Sequence, residues 1–179
     1  MSLGVETDLD DIIALDAQTM QLRHRFAFGR GLLEATGGLA VGGDELYACD
    51  SSNDRLQVFS LTGEHRRSVT GEWRAPNMLC FERDRLYLVE DPPYEDEDTT
   101  LYANPLQGRR ILVLSLQGNI LQVVTHPTES RAVFQSIYCL DRKLLACYTY
   151  STESAPESAG SPLSRNARGV LALAMDGNR

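Results

Sequence analysis

The chain has 179 residues, with 17 Lys plus Arg against 25 Asp plus Glu, a net charge of −8 and 42% hydrophobic residues. That much apolar material fills a core and excludes wholesale disorder, while the longest apolar stretches, such as Ile111-Leu112-Val113-Leu114, are far too short to cross a bilayer. The acidic balance excludes a phosphate-binding surface over the whole molecule and leaves room for a local patch.

At the N-terminus, Glu6 and Asp8 stand where a secretory leader carries a basic segment and then an apolar one, so no export is predicted. Four cysteines, Cys49, Cys80, Cys139 and Cys147, lie inside apolar runs, with no Cys-x-x-Cys spacing. A two-residue turn at Asp141-Arg142 sets Cys139 opposite Leu144 and Cys147 opposite Ser136, so those two do not face each other. The expectation is buried free thiols and a reduced, cytoplasmic location.

Shifted by forty residues, the chain lays Ala35 on Ala75, Leu39 on Leu79, Asp44 on Asp84, Leu46 on Leu86 and Tyr47 on Tyr87. A shift of 98 brings Leu39 onto Ile137, and Leu46, Ala48 and Cys49 onto Leu144, Ala146 and Cys147. Repeats of this period mark propellers or arrays.

In chain order, 12–16 matches 56–60 as a third strand and 21–28 follows as a fourth, so 11–28 reads as strands c and d of a preceding blade. The first full blade, 36–70, has strands a to d at 38–42, 45–49, 55–61 and 66–70. The second, 76–125, has them at 78–82, 85–89, 110–116 and 120–125, with an insertion at 91–109 between b and c. The third, 133–176, has strands a to c at 136–140, 143–148 and 170–175, with an insertion at 151–168.

All these elements are short, rich in Val, Leu, Tyr and Phe, and bounded by Gly, Asp, Asn and Pro. No segment has the 3.6-residue apolar period of a sizeable helix. The c strands are apolar on successive residues and need cover on both faces, which blades stacked between blades supply. The prediction is an all-β fold, a partial β-propeller of about three four-stranded antiparallel blades. Closed propellers have about 4 to 8 blades. The chain therefore reads as incomplete, a piece of a longer protein in preference to a half-propeller that dimerises, with unpaired blade edges open to self-association.

The run Leu46-Tyr47-Ala48-Cys49-Asp50-Ser51-Ser52-Asn53-Asp54-Arg55-Leu56-Gln57-Val58-Phe59, followed by Gly63, resembles the signature of the NHL-repeat family. Phe28-Gly29 with Gly31 resembles the join before each NHL blade. The second unit keeps Pro76, Tyr87, Arg110 and Gly118 but carries Glu90 in place of Asp50; the third has Tyr148 there and Gly169 in place of the arginine. The resemblance implies part of a six-bladed propeller, NHL- or TolB-like. Asp50, Asn53, Arg55 and Arg110 also have a physical reading as a structural signature. The first two accept hydrogen bonds from amides of a tight b-to-c turn, and the arginine opens the next strand within reach of the carboxylate. Such ion pairs staple turns more often than they catalyse.

Strand parity places the b-to-c and d-to-a loops on one face, where both insertions fall. Long loops in a compact β fold are often functional. The first insertion holds the candidate partner-binding residues Tyr94, Glu95, Asp96, Glu97, Asp98 and Tyr102: aromatic anchors beside acids that suit a basic protein or peptide. Its spacing matches no calcium loop. His24, His65 and His126 fall in or beside d strands as surface histidines, not at metal-ligand spacing. Arg66-Arg67 and the other arginine pairs read as protection of blade edges, ahead of RNA binding, which needs interleaved aromatics.

The resemblance extends to propeller lactonases and amidating lyases, which hold a metal at the central tunnel. Here the starts of the a strands offer only Asn77 and Gln135 as polar side chains of any coordinating use, and no inward carboxylate. No catalytic residue, metal ligand or cofactor site is therefore predicted, and no membrane contact. The expected function is a non-enzymatic scaffold that binds protein or peptide through the face bearing the long b-to-c loops. The alternatives are a lactonase- or lyase-type enzyme whose metal lies in missing blades, and an RNA-binding NHL module.

Overall fold

The computed structural model describes residues 11–27, 33–92, 106–151 and 166–175. Among them the chain forms strands and turns, with a 3-10 turn at Ser51–Asn53. β1 (Asp11–Leu15) and β2 (Leu22–Ala27) form a half-blade. Blade 1 is the meander β3 (Thr36–Gly42), β4 (Glu45–Asp50), β5 (Arg55–Ser60) and β6 (His65–Val69). Blade 2 repeats it with β7 (Pro76–Glu82), β8 (Arg85–Glu90), β9 (Arg110–Leu114) and β10 (Ile120–Thr125). Blade 3 has β11 (Val133–Leu140), β12 (Lys143–Ser151) and β13 (Asn166–Ala174).

Turn chemistry sets the registers. Arg83-Asp84 and Asp141-Arg142 both have positive φ at two successive residues, the conformation that joins twisted strands through two-residue loops. Glu82 consequently pairs with Arg85 and Leu140 with Lys143. Cys139 then sits opposite Leu144 and Cys147 opposite Ser136, as the turn reading requires. β13 starts at Asn166 rather than 170, because its pairing with β12 continues to Ser151↔Asn166.

Three apolar layers lie between successive sheets. Ile12 and Leu33 pack on Leu46, Ala48 and Phe59 of blade 1. The opposite face of blade 1, with Tyr47, Leu56 and Val58, packs on Leu86, Leu88, Leu112 and Leu114 of blade 2. Ile111 and Val113 point the other way, onto Phe134, Ile137, Leu144 and Ala146 of blade 3. β9 is therefore buried at every position, which is why its residues are apolar in succession. The same expectation is not met at β13. Leu171 and Leu173 face blade 2, whereas Val170 is 68% exposed on the far side.

The innermost strands approach closely. A Cβ on Gly38 would lie 2.6 Å from the Leu79 backbone nitrogen, so β3 runs against β7 only because glycine stands there. One expectation is corrected at this radius. Cys80 of β7 and Cys139 of β11 form a disulfide between the inner strands of blades 2 and 3, their Cα atoms 6.0 Å apart. The free thiols are Cys49, buried, and Cys147, half-buried. Disulfides belong to oxidising compartments, so the cysteines give no support to a cytoplasmic location. No helix among the described residues is long and apolar enough to cross a membrane.

Candidate partner-binding face

The b-to-c face is built on a repeated staple. At the end of β4 the buried Asp50 accepts hydrogen bonds from Asn53 Nδ2 at 2.8 Å and from Arg55 Nε at 2.6 Å. Its remaining backbone donor is not a turn amide, as the sequence suggests, but the Glu34 N–H at 2.8 Å, sixteen residues earlier in the segment that enters the blade. Blade 2 repeats the device. Glu90 accepts from Arg110 Nε at 2.6 Å and Nη2 at 2.9 Å, and from the Arg74 N–H at 3.0 Å, again sixteen residues earlier. Glutamate replaces aspartate here, and its longer arm holds the guanidinium bidentately.

Neighbouring blades are tied through the same face. Asp54 closes the blade 1 turn in a left-handed conformation and accepts the Ala75 N–H at 2.7 Å, while Ser51 Oγ donates to the Pro76 carbonyl. The Asp91 N–H donates to the Ala75 carbonyl at 2.8 Å, and the Phe134 N–H to that of Gly108 at 3.0 Å. In each of these contacts a d-to-a segment or the start of an a strand meets a b-to-c connection, as strand parity requires; Asp91 with Ala75 does so within blade 2, the others between neighbouring blades.

Blade 3 substitutes an aromatic group for the ion pair. Tyr148 takes the carboxylate position and pairs with Gly169, where a Cβ would collide with the tyrosine hydroxyl. His126 packs edge-on against Tyr148 at 4.3 Å between centroids, and Tyr150 stacks beside it at 6.2 Å. His126 Nδ1 also accepts the Glu129 N–H at 2.9 Å, so this ring is part of the loop architecture and not simply a surface histidine. On the outward side of the same strands, Gln135, Cys147, Thr149, Arg168 and Val170 line a concavity of about 510 Å³.

Tyr94, Glu95, Asp96, Glu97, Asp98 and Tyr102 lie outside the described residues. The structure instead shows the roots of their loop, and one correction follows from them. Asp91 reaches Asn77 at the start of β7 and accepts from its Nδ2, while Gln107 Nε2 donates to the Asp91 carbonyl at 2.8 Å. A carboxylate therefore does sit beside an inner-strand start. It is a single acid: no three His, Cys, Asp or Glu gather among the described residues. Burial pushes the Cys49 thiol well above its usual range, which leaves it unreactive.

On the outer strands the arginines are paired with acids. Arg66 Nη2 meets Asp44 Oδ2 at 2.8 Å, and Arg67 Nη2 meets Glu45 Oε2 at 2.8 Å. Hydrogen bonds from Arg67 pull the Glu45 carboxyl from 4.5 to about 2. A folded value below the unfolded one gives stability that is full above about pH 4.5 and is lost as pH falls toward 2. Urea unfolding between those limits will show the loss. Glu45→Gln should flatten part of that acid limb, leaving the share of Asp16, which Arg23 also holds at about 2. An acid limb unchanged in Glu45→Gln would show the Arg67 pair to be too well solvated to matter.

No family model and no curated protein matches the chain. Solved structures do. Hydrazine synthase of Kuenenia stuttgartiensis superposes with a TM-score of 0.55 at 10% identity, covering 92% of this chain and 56% of that one. Glutaminyl cyclase of Myxococcus xanthus gives 0.54 at 14% identity, covering 79% and 56%. The WD40 repeats of RRP9 give 0.50 at 14% identity, covering 88% and 44%; WD40 repeats are propeller blades.

The chain is a partial β-propeller. It spans about half the length of these solved chains, and at such identities the likeness is one of fold alone.

Proposed function

We propose that the chain belongs to a six-bladed, NHL-type propeller that acts as a non-enzymatic scaffold, capturing a protein or peptide on the face that bears its two long b-to-c connections. One observation carries the reading: the two connections are rooted side by side. Gly108, at the end of the first, bonds Phe134, and Phe134 pairs with Tyr148, which leads along β12 into the second. Two long loops thus leave adjacent blades at one place, above a rigid, stapled floor.

The chemistry around the roots supports a binding role. Asp50 and Glu90 are occupied by arginines and backbone donors. Tyr148 and Tyr150 add rings where interfaces favour aromatic anchors. The acids Glu95 to Asp98 select a basic partner, whose association should slow as salt is raised.

The test is excision of residues 93–105, joined by a short Gly-Ser link that keeps Asp91, Gln107 and Gly108 in place. A partner identified by cross-linking to the parent chain, then purified, should bind the excised chain at least tenfold more weakly, with the circular dichroism unchanged. Equal binding by both chains would make the loops tolerated surface insertions and the face assignment wrong.

A further inference from the structure

Among the described residues the outermost strands, β2 in the half-blade, β6 in blade 1 and β10 in blade 2, each pair on one side only. In a propeller neighbouring blades cover the faces of a sheet and leave its outer edge bare. Blade 2 shows both neighbours in place: Ile120 of β10 packs into the layer against blade 1 and Val124 into the layer against blade 3. Blades added further along the row leave the edge of β10 as it is.

Bare edges are ordinarily guarded by charge, which stops a second strand from adding. β2 carries Arg23 and Arg25, and β6 carries Arg66 and Arg67. A shift of 55 residues, which lays Arg55 on Arg110, lays Arg66 and Arg67 on Leu121 and Gln122. Both strands bulge at the same place, between His65 and Arg67 and between Ile120 and Gln122, so charge is what distinguishes them. No charged residue occurs from Ile111 to Thr125, and Leu121 and Val123 of β10 are 54% and 44% exposed. The edge of blade 2 has lost the guard that the edge of blade 1 keeps.

Charge also selects what can pair there. The arginines of β6 are tied to Asp44 and Glu45, and a guanidinium set against Leu121 or Val123 would find no acceptor. Of the three outer strands, β10 alone brings no cation to the seam. Two copies of it are self-complementary: antiparallel pairing about a two-fold axis at Gln122 sets Leu121 of each copy against Val123 of the other.

We propose that the rim edge of β10 pairs antiparallel with β10 of a second copy of this chain, giving a two-fold dimer with an uncharged seam. The pairing uses both edges and stops at two. A seam of 6 residues a side is small beside the roughly 1,200 Å² of a stable interface, so the dimer dissociates on dilution. The rim edge and the b-to-c connections are different surfaces, and the two readings fail independently.

Sedimentation velocity on the full chain tests it. Raising the concentration from about 1 to about 300 μM should carry the chain from monomer to dimer. Val123→Lys and Leu121→Glu, each with its fold checked by circular dichroism, should each weaken self-association about tenfold, because each sets two unpaired charges in the seam. Mixed, the two variants should dimerise with one another, since the register places the new ammonium opposite the new carboxylate. Damaged folds would not be rescued by mixing. A chain that stays monomeric at the highest concentration would leave the edge to another polypeptide and overturn the proposal. So would a dimer indifferent to both substitutions, which would lie on another edge or face, or variants that do not pair when mixed.

Discussion

Arg110→Ala will destabilise the chain by about 3–5 kcal/mol, the cost of leaving a buried charge without its partner. The Arg110 and Glu90 side chains are only 7% and 1% exposed, and truncation strands Glu90 between blades with the Arg74 N–H alone for company. Replacing both partners with leucine should recover much of the loss, since apolar residues in place of a buried ion pair are often tolerated. Recovery will be incomplete, because the Arg74 N–H then loses the carboxylate that accepts from it. Denaturant midpoints at constant slope measure both effects. An Arg110→Ala chain within about 1 kcal/mol of the parent would place the pair among solvated surface bridges.

Removing the Cys80–Cys139 disulfide is the second large effect. The bond closes a segment with a sequence separation of 59, and chain-entropy arithmetic for a loop of that length gives about 4 kcal/mol. Cys80→Ala with Cys139→Ala should therefore lower the unfolding midpoint of the oxidised protein. Reductant should lower the parent to the same level and leave the double variant unmoved. Thiol titration of the oxidised chain in denaturant should find the two groups of Cys49 and Cys147; finding all four would show that the bridge does not form.

The strand order was legible because each blade repeats the same short strands and tight turns. Burial at every position of β9 was legible because only a sheet covered on both sides tolerates Ile111 to Leu114 in succession. The staple was half legible. Asp50 with Arg55 is a contact across one turn, whereas the Glu34 and Arg74 amides reach their carboxylates from a separate segment whose sequence carries no mark of it. The disulfide was hidden for a related reason. Register arithmetic within one hairpin rejects Cys139 with Cys147, but Cys80 meets Cys139 between blades, where only the packing of inner strands sets the distance. The role of Asp91 was masked by its place at the root of an acidic loop, among residues that look alike in sequence. Tyr148 looked like a departure from a motif and His126 like a surface histidine, yet the two rings pack together where the other blades have an ion pair.

The most direct measurement of the central claim is hydrogen exchange on the chain with and without a partner that has been identified and purified. Scaffolding through the b-to-c face predicts slowed exchange at the loop roots, residues 91–92, 106–109 and 148–151, with the a-to-b turns at 43–44, 83–84 and 141–142 unaffected. Slowing confined to the a-to-b turns, with the roots unchanged, would place the partner on the opposite face and contradict the account.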